Sequence, residues 1–593
     1  MFTRMTKVAV IAGGLLLAGL PLAAQSCGEW LWANPAPQGN LLSAVAFGDG
    51  LYVAVGRAGT ILSSRDGAAW TQEIANPKVE LSDVLWSGAQ FIAVGQGGAV
   101  LTSADGHLWE FQRSEITTAL RKLAWNGDLF VAVGDGGGVA SSPNGRDWTA
   151  RTPATDSNLR DVAWGAGRFL AVGDYGAIVT SPDGISWSRS TFEIFDQLYA
   201  VAWDGSRFVI TGTSFPDFGL VLSTPDGVGF ALYGQAQHVS LKSLVWTGSD
   251  LVAVGEYGSI FDSPDAIHWT RRTSSTRVEL TDLVWNGAEF LAVGGRGVVL
   301  ASPDGLDWRS RSVGNRNAVA DVAWSGSGYA AVGASGTILT SENGASWTSQ
   351  ASDVQRWLLG VAFGASRFVA VGEQGAILTS EDGTSWTRRN SGTKETLYDV
   401  AWNGSRFLAV GSGGTVIGSG DGLTWSAPLM IHPNSLLQVI WSGARWVAVG
   451  GDYARLVFTS EDGTTWTKRL SVTGGGLNDV AWDGLRLVAV GQSGAVYTSP
   501  DGLSWTGGNA GTDRNLFSVA WTGSRFVAVG GSGVRAESPD GVAWSLRDSG
   551  TENDLYAVRS AGGNLLALGK AGTVLREGCA AKSGRLTGVH GWR

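Results

Sequence analysis

Cysteine, histidine and methionine are scarce: 593 residues contain two, five and three of them. Two cysteines cannot build a disulfide-dense scaffold or a thiolate zinc cluster. The histidines (His107, His238, His268, His432 and His590) are scattered without metal-ligand spacing, so no metal site and no cofactor is expected. Charge is also thin, at 16%, with a formal net of −9 that becomes −11 once Arg4 and Lys7 are removed with the N-terminal segment. That mild acidity argues against a nucleic-acid partner. Long apolar runs are missing too. The one run, Val8 to Leu20, is short and glycine-rich, and no second follows, so no transmembrane segment is expected.

What that run does resemble is a leader. Arg4 and Lys7 precede it and Leu22-Ala23-Ala24 follows, the pattern of a secretory signal peptide over residues 1–24. An exported protein, periplasmic or extracellular, is expected. In that compartment Cys27 and Cys579, one near each end of the mature chain, read as a disulfide. A lipid-modified Cys27 is the competing reading, although Ala24-Gln25-Ser26 lacks the apolar residue usual three positions before such a cysteine.

Glycine (87) and tryptophan (28) are abundant, which points to tight turns between aromatic-rich strands and an all-β chain. The abundance comes from a repeat. An anchor, nearly always leucine, recurs from Leu42 to Leu555, with Val319, Leu359, Leu397, Leu437 and Leu477 among its positions, giving fourteen units spaced 38 to 43 residues apart and mostly 39. Each unit carries two hairpin signals. The first follows a Trp, as in Trp402-Asn403-Gly404, where Asn-Gly predicts a two-residue type I′ turn. The second is Ser-x-Asp-Gly-x-x-Trp, as in Ser380 to Trp386. Between them lies a Val-Gly-x-x-Gly turn. Four short antiparallel strands per unit of about 39 residues is the pattern of a β-propeller blade.

Fourteen blades in one large closed ring would exceed the usual range, so two seven-bladed rings are expected: residues 27–315 and 316–579, with a flexible tail at 580–593. The last unit lacks its fourth-strand Trp. Trp30, twelve residues before Leu42, has the spacing to supply it, which would let Cys27 and Cys579 staple the closure.

The Ser380–Trp386 element resembles the Asp-box of bacterial neuraminidase (BNR) repeats, with Asp and Gly adjacent here. The whole unit is similar to secreted repeat proteins grouped with the photosystem II stability and assembly factor-like propellers, through its Ala-Val-Gly-x-x-Gly-x-Ile segment. The resemblance covers nearly all of the mature chain. It implies a scaffold or binding protein, with glycosidases a minority.

Catalysis needs one convergent site, whereas the Asp of Asp-Gly recurs at separate hairpins and is replaced by Asn144 and Asn343; it reads as turn chemistry. A second set, Asp83, Asp161, Asp282, Asp321, Asp399 and Asp479, lies three residues before the first-strand Trp. It is expected near a channel mouth, either meeting a cation or accepting hydrogen bonds from nearby amides and hydroxyls. Arg271, Arg272, Arg309, Arg311, Arg388 and Arg389 follow fourth-strand tryptophans and read as a basic stripe for an acidic glycan or as solvated edge residues. The face bearing the Val-Gly-x-x-Gly turns varies most between units. There Tyr175, Phe192, Phe195, Phe215, Phe218, Tyr233 and Tyr257 form the candidate surface for an unknown protein or glycan, or else pack under their own loops. The expected function is a secreted, non-enzymatic binding scaffold with no catalytic residues. A sialidase-type glycoside hydrolase, needing several arginines, a tyrosine and paired acids at one mouth, is the alternative.

Overall fold

The computed structural model describes residues 25–581 apart from 35–37, 74, 76–77, 113, 115, 191, 193–195, 215–217, 235–238 and 312–313. The expected signal peptide and residues 582–593 of the expected tail lie outside the described residues.

The chain forms fourteen four-stranded antiparallel sheets, each made of consecutive strands except the last. Blade 9 shows the plan: Leu358–Gly364, Arg367–Gly372, Ile377–Ser380 and Thr387–Arg389. Its first strand is bulged just after the anchor. Leu358 pairs with Gly372 and Gly360 with Val371, so Leu359 has no partner across the ladder. This corrects the expected anchors in two units, because Leu358 and Leu436 take the buried site and Leu359 and Leu437 become the bulge residues. In a Leu-Leu doublet hydrophobicity cannot choose between neighbours; the pairing with the turn glycine does.

The first hairpin also differs from expectation. Trp402 pairs with Phe407, and only Gly404 (φ 97°) is left-handed there. Asn403 opens the four-residue loop, its Oδ1 accepting from the Ser405 and Arg406 N–H groups at 3.0 and 2.8 Å. An Asn that can satisfy two loop amides gains more there than from a positive φ. Type I′ geometry does occur in blade 1, where Asp49 and Gly50 both have positive φ (49° and 69°).

The second hairpin explains every fixed residue of its motif. Asp382 Oδ1 accepts from the Thr384 and Ser385 N–H groups, both at 2.8 Å, and from Ser380 Oγ at 2.9 Å. Ser380 Oγ accepts from Gly383 N–H at 2.8 Å, and Trp386 Nε1 donates to the Gly383 carbonyl at 2.7 Å. Those amides hold the Asp382 carboxyl below the ordinary range, as repeated hydrogen bonds to the charged form should.

Most apolar clusters span two adjacent blades. One joins Val369, Val371 and Ile377 of blade 9 to Leu397, Val400 and Phe407 of blade 10. Two such clusters reveal how the array closes. Leu42, Val45 and Tyr52 of blade 1 pack on Leu291 and Val293 of blade 7, and Val319 and Tyr329 of blade 8 pack on Leu566 and Leu568 of blade 14. The sheets therefore form two circuits of seven. The strand Gln25–Asn34 completes blade 14 by pairing with Val574–Ala581, with Trp30 buried opposite Glu577 and the guanidinium of Arg535 4.3 Å above its ring. The backbone thus starts in the second circuit, builds the whole first circuit, and returns.

Where it crosses, it passes over the other circuit's joint. A side chain on Gly297 of blade 7 would strike the Gln38 carbonyl, and one on Gly572 of blade 14 the Asn315 carbonyl. Near the first crossing Thr551 Oγ1 donates to Asn40 Oδ1 at 2.8 Å and Asn40 Nδ2 to the Gly550 carbonyl at 3.1 Å.

Candidate functional site: the two channel mouths

The first strand of every blade faces the channel of its circuit. Two of its positions matter: the bulge residue at the rim, and the next residue, set deeper, where the six aspartates stand.

Each aspartate accepts from a backbone N–H of the following blade. The pairs are Asp83–Leu123 (2.8 Å), Asp161–Val201 (2.7 Å), Asp282–Val45 (3.0 Å), Asp321–Val361 (3.0 Å), Asp399–Val439 (2.9 Å) and Asp479–Val519 (3.0 Å). The hydrogen-bonded reading holds, with strand amides in place of loop amides. The cation is the chain's own. In the first circuit Lys122 Nζ lies 3.0 Å from Asp83 and 3.3 Å from Asp282. In the second, Arg559 Nε lies 3.0 Å from Asp321 and its Nη1 3.1 Å from Asp479. Lys122 occupies the aspartate position of blade 3, whereas Arg559 stands two residues further along its strand, where other blades carry an apolar residue, mostly alanine. Each circuit thus holds one cation among three carboxylates.

Burial dominates the charge balance. It pushes Asp83 up to about 6 against the pull of Lys122, and Asp161 up to about 7. Burial and then the negative charge of Asp321 push Asp399 up to about 7 as well.

Bonding at the six carboxylates is nearly complete. Asp83 and Asp282 give one oxygen to Lys122 and the other to an amide, and Asp161 takes N–H groups of Val162 and Val201 on its two oxygens. Asp321 gives Oδ2 to Val361, and its Oδ1 lies in an ion pair with Arg559 without a hydrogen bond, while Asp479 takes Val480 N–H on Oδ1 and three donors on Oδ2. Asp399 differs. Its Oδ2 meets Val439, its Oδ1 has no partner among the described residues, and the residue is only 4% exposed. Blade 9 has Gly360 where other blades carry a side chain at this depth, and a Cβ there would come within 3.2 Å of that oxygen.

The rims diverge. In the first circuit they are Ser43, Ser82, Arg121, Arg160, Tyr199, Lys242 and Thr281. Arg160 and Lys242 lie 5.3 and 4.0 Å from the centre of the Tyr199 ring. Arg121, Arg160 and Lys242 each reach an acid on their own blade's turn: Asp135, Asp174 and Glu256. In the second circuit the rim is Ala320, Leu359, Tyr398, Leu437, Asn478, Phe517 and Tyr556. With Trp357 they surround a cavity of about 370 Å³, floored by Asp321, Asp399, Gln438, Asp479, Ser518 and Arg559. The Tyr556 ring lies 6.0 Å from Phe517 and 6.4 Å from Trp357.

The aromatics singled out from the sequence separate into three groups. Tyr175 and Tyr257 stand 65% and 70% exposed on the turns of blades 4 and 6, each with positive φ. Phe192 stacks on Phe230 with centroids 4.7 Å apart, and Tyr233 packs against the Val209–Leu251 cluster. Phe195 and Phe215, and the side chain of Phe218, lie outside the described residues, as do the side chains of Cys27 and Cys579. The fourth-strand arginines alternate: Arg272 pairs with Asp262 at 2.6 Å and Arg311 with Glu289 at 2.7 Å, while Arg271 and Arg388 are exposed.

Sequence reasoning passed over Leu359, Tyr398, Leu437, Phe517 and Tyr556. Reading the residue after the anchor down the units would have found Tyr398, Phe517 and Tyr556, whereas Leu359 and Leu437 emerge only once the bulge has moved the anchor to Leu358 and Leu436.

No family model and no curated protein matches the sequence. Among solved structures, an ancestral GH74 enzyme superposes with a TM-score of 0.66 over 93% of this chain and 99% of its own, at 12% identity. The fold is a β-propeller. YCF48 bound to D1 peptide aligns at a TM-score of 0.39 and 20% identity over 44% of this propeller chain and 94% of that one. The extracellular domain of the one-component system BT4673 from B. thetaiotaomicron aligns at 0.39 and 11% identity, over 93% and 82%. Among the described residues no helix is long and apolar enough to cross a membrane.

The raised Asp399 gives a pH test. It faces the carboxylates of Asp321 and Asp479 and the Arg559 guanidinium, below the Tyr398 and Tyr556 rings. A folded value near 7, above about 4 in the unfolded chain, means that folding retains a proton, so this group's contribution falls as pH rises from about 4 to 7. Asp399→Asn keeps the acceptor for Val439. In guanidinium unfolding its stability relative to wild type is expected to rise between pH 5 and pH 8, by on the order of 1–3 kcal/mol. An equal offset at both pH values would contradict the buried-charge account.

Proposed function

We propose that this is an exported, non-enzymatic binding scaffold that engages a protein or glycan through the variable face, chiefly at the second circuit's channel mouth. The observation that carries this reading is the apolar, aromatic rim of that mouth around a cavity with a polar floor. Pockets for small groups typically have this composition and a volume of about 300–1,000 Å³. Tyr175 and Tyr257, exposed on the same kind of face of the first circuit, are proposed as a second contact zone, with Phe192, Phe195, Phe215, Phe218 and Tyr233 around them. The two circuits are proposed as separate domains, 27–315 and 316–579, divided near the second crossing.

Against an enzyme stands the bonding of the channel carboxylates. Five of the six are held by backbone amides and internal cations on both oxygens, which leaves one free carboxylate oxygen where a glycosidase uses a pair. In the first mouth two cations flank Tyr199, the beginning of a sialidase-like cluster, but each is matched to its own turn acid. The ancestral GH74 neighbour, at 12% identity, supports the fold and leaves the chemistry open.

The triple variant Tyr398→Ala/Phe517→Ala/Tyr556→Ala is expected to lose partners that the wild-type mature protein retains on a glycan array and in pull-downs. Unchanged binding by that variant, with loss by Tyr175→Ala/Tyr257→Ala, would move the site to the first circuit.

Cys27 and Cys579 are direct partners across the last ladder. A disulfide there is proposed to lock the strand that closes blade 14. Non-reducing peptide mapping should recover the two cysteine peptides linked; a lipid-modified Cys27 peptide would replace this proposal.

A further inference from the structure

The second circuit's cavity has a charge that the chain leaves unmatched. Its floor brings three carboxylates, Asp321, Asp399 and Asp479, to one guanidinium. Arg559 touches Asp321 and Asp479 and makes no ion pair with Asp399. A buried carboxylate without a partner is costly, and proteins ordinarily pair such groups or bind a cation against them. The first circuit shows the matched alternative: Lys122 reaches two carboxylates, and the third, Asp161, has an amide on each oxygen.

The residue carrying the free oxygen lines the cavity. Gly360 packs its backbone against Asp399 on one flank and offers that oxygen no side-chain donor. On the other flank the Gln438 amide lines the cavity without a hydrogen-bond partner among the described residues, so its carbonyl oxygen is a second acceptor. Above both, Leu359, Tyr398 and Leu437 form a half-buried wall. An N–H-bearing cation could donate to Asp399 Oδ1 and Gln438, while an apolar stem filled the rim and its charge met the aromatic faces.

We propose that this cavity binds an organic cation carried on an apolar stem, with Asp399 as its counter-ion and the Leu359–Tyr398–Leu437 wall as the seat of the stem. The proposal rests on the reading of the second mouth as the binding site, and it narrows the ligand class. A neutral sugar would leave the Asp399 charge buried and unmatched, and an anion would oppose it.

Isothermal titration calorimetry of the full mature protein at pH 8 tests this. The probes are Nα-acetyl-lysine methylamide for a protein-borne cation, n-pentylamine for a free small amine, and Nα-acetyl-norleucine methylamide as the neutral control. At least one cation is expected to bind tenfold or more tightly than norleucine, and Asp399→Asn is expected to remove that preference while retaining the unfolding midpoint of a folded protein. Whichever cation binds better identifies the source. Equal affinity for the neutral probe, or no binding by either cation, would overturn the proposal, and the wild-type comparison holds even if the variant misfolds. If both cations fail while the rim variant still loses its partners, the cation is wrong and the site stands. If a cation binds while the rim variant keeps its partners, the cavity is real and the scaffold's partner surface lies elsewhere.

Discussion

Every blade-to-blade joint that carries an inner aspartate is fastened the same way. A carboxylate on one first strand accepts the N–H of the next. Hydrophobic clusters between blades supply most of the burial, but they are non-directional and would tolerate sliding. The carboxylate–amide bond fixes where one blade sits against its neighbour, and it does so at the channel, where blades are closest. Asp282 to Val45 applies it to the joint that closes the first circuit. Blade 14 has Ala557 at that depth, and Arg559 reaches across to Asp321 of blade 8 in its place. Carboxylates at the channel force the charge problem that each circuit must then solve.

Lys122 and Arg559 stand at different strand positions and each reaches two of three acids. The third acid decides which circuit can bind, since Asp161 has an amide on each oxygen and Asp399 on one. Lys122 stands at carboxylate depth and reaches Asp83 and Asp282, leaving Asp161 to its two amides. Arg559 comes from two residues further along and reaches two of its three acids, leaving Asp399. The bulge then makes the rims independent of the fold. A residue excluded from the ladder contributes little to strand pairing, so Arg121, Lys242, Tyr398 and Phe517 can stand at equivalent positions without altering the blade. Scaffold and recognition surface are thereby set by neighbouring residues of the same strand.

This separation accounts for what could be read from the sequence. The repeat, the four strands and the turn role of Asp382 were legible because each depends on local chemistry repeated in nearly every unit. The type I′ turn at Asn403-Gly404 was misread because a side-chain cap and a positive φ compete for the same Asn-Gly pair. Leu359 and Leu437 were taken as anchors because composition does not reveal a bulge. The channel site was hidden for a deeper reason. Asp399 looks identical to Asp321 in sequence, and its missing partner depends on Gly360, Gln438 and Arg559, which lie 39, 39 and 160 residues away. Tyr175 and Tyr257 drew notice because they break the repeat at an exposed turn, whereas Tyr398 and Tyr556 sit where every unit has some residue.

The central claim is that recognition occurs at the one channel whose carboxylates the chain does not satisfy. A crystal structure of the mature protein soaked with Nα-acetyl-lysine methylamide tests it most directly. The account predicts the ammonium beside Asp399 Oδ1, with its stem between Leu359 and Leu437 and the Lys122 channel of the first circuit empty of ligand. A probe seated instead on the turns of blades 4 to 6, or an Asp399 oxygen paired by Arg559 with the cavity closed, would contradict it.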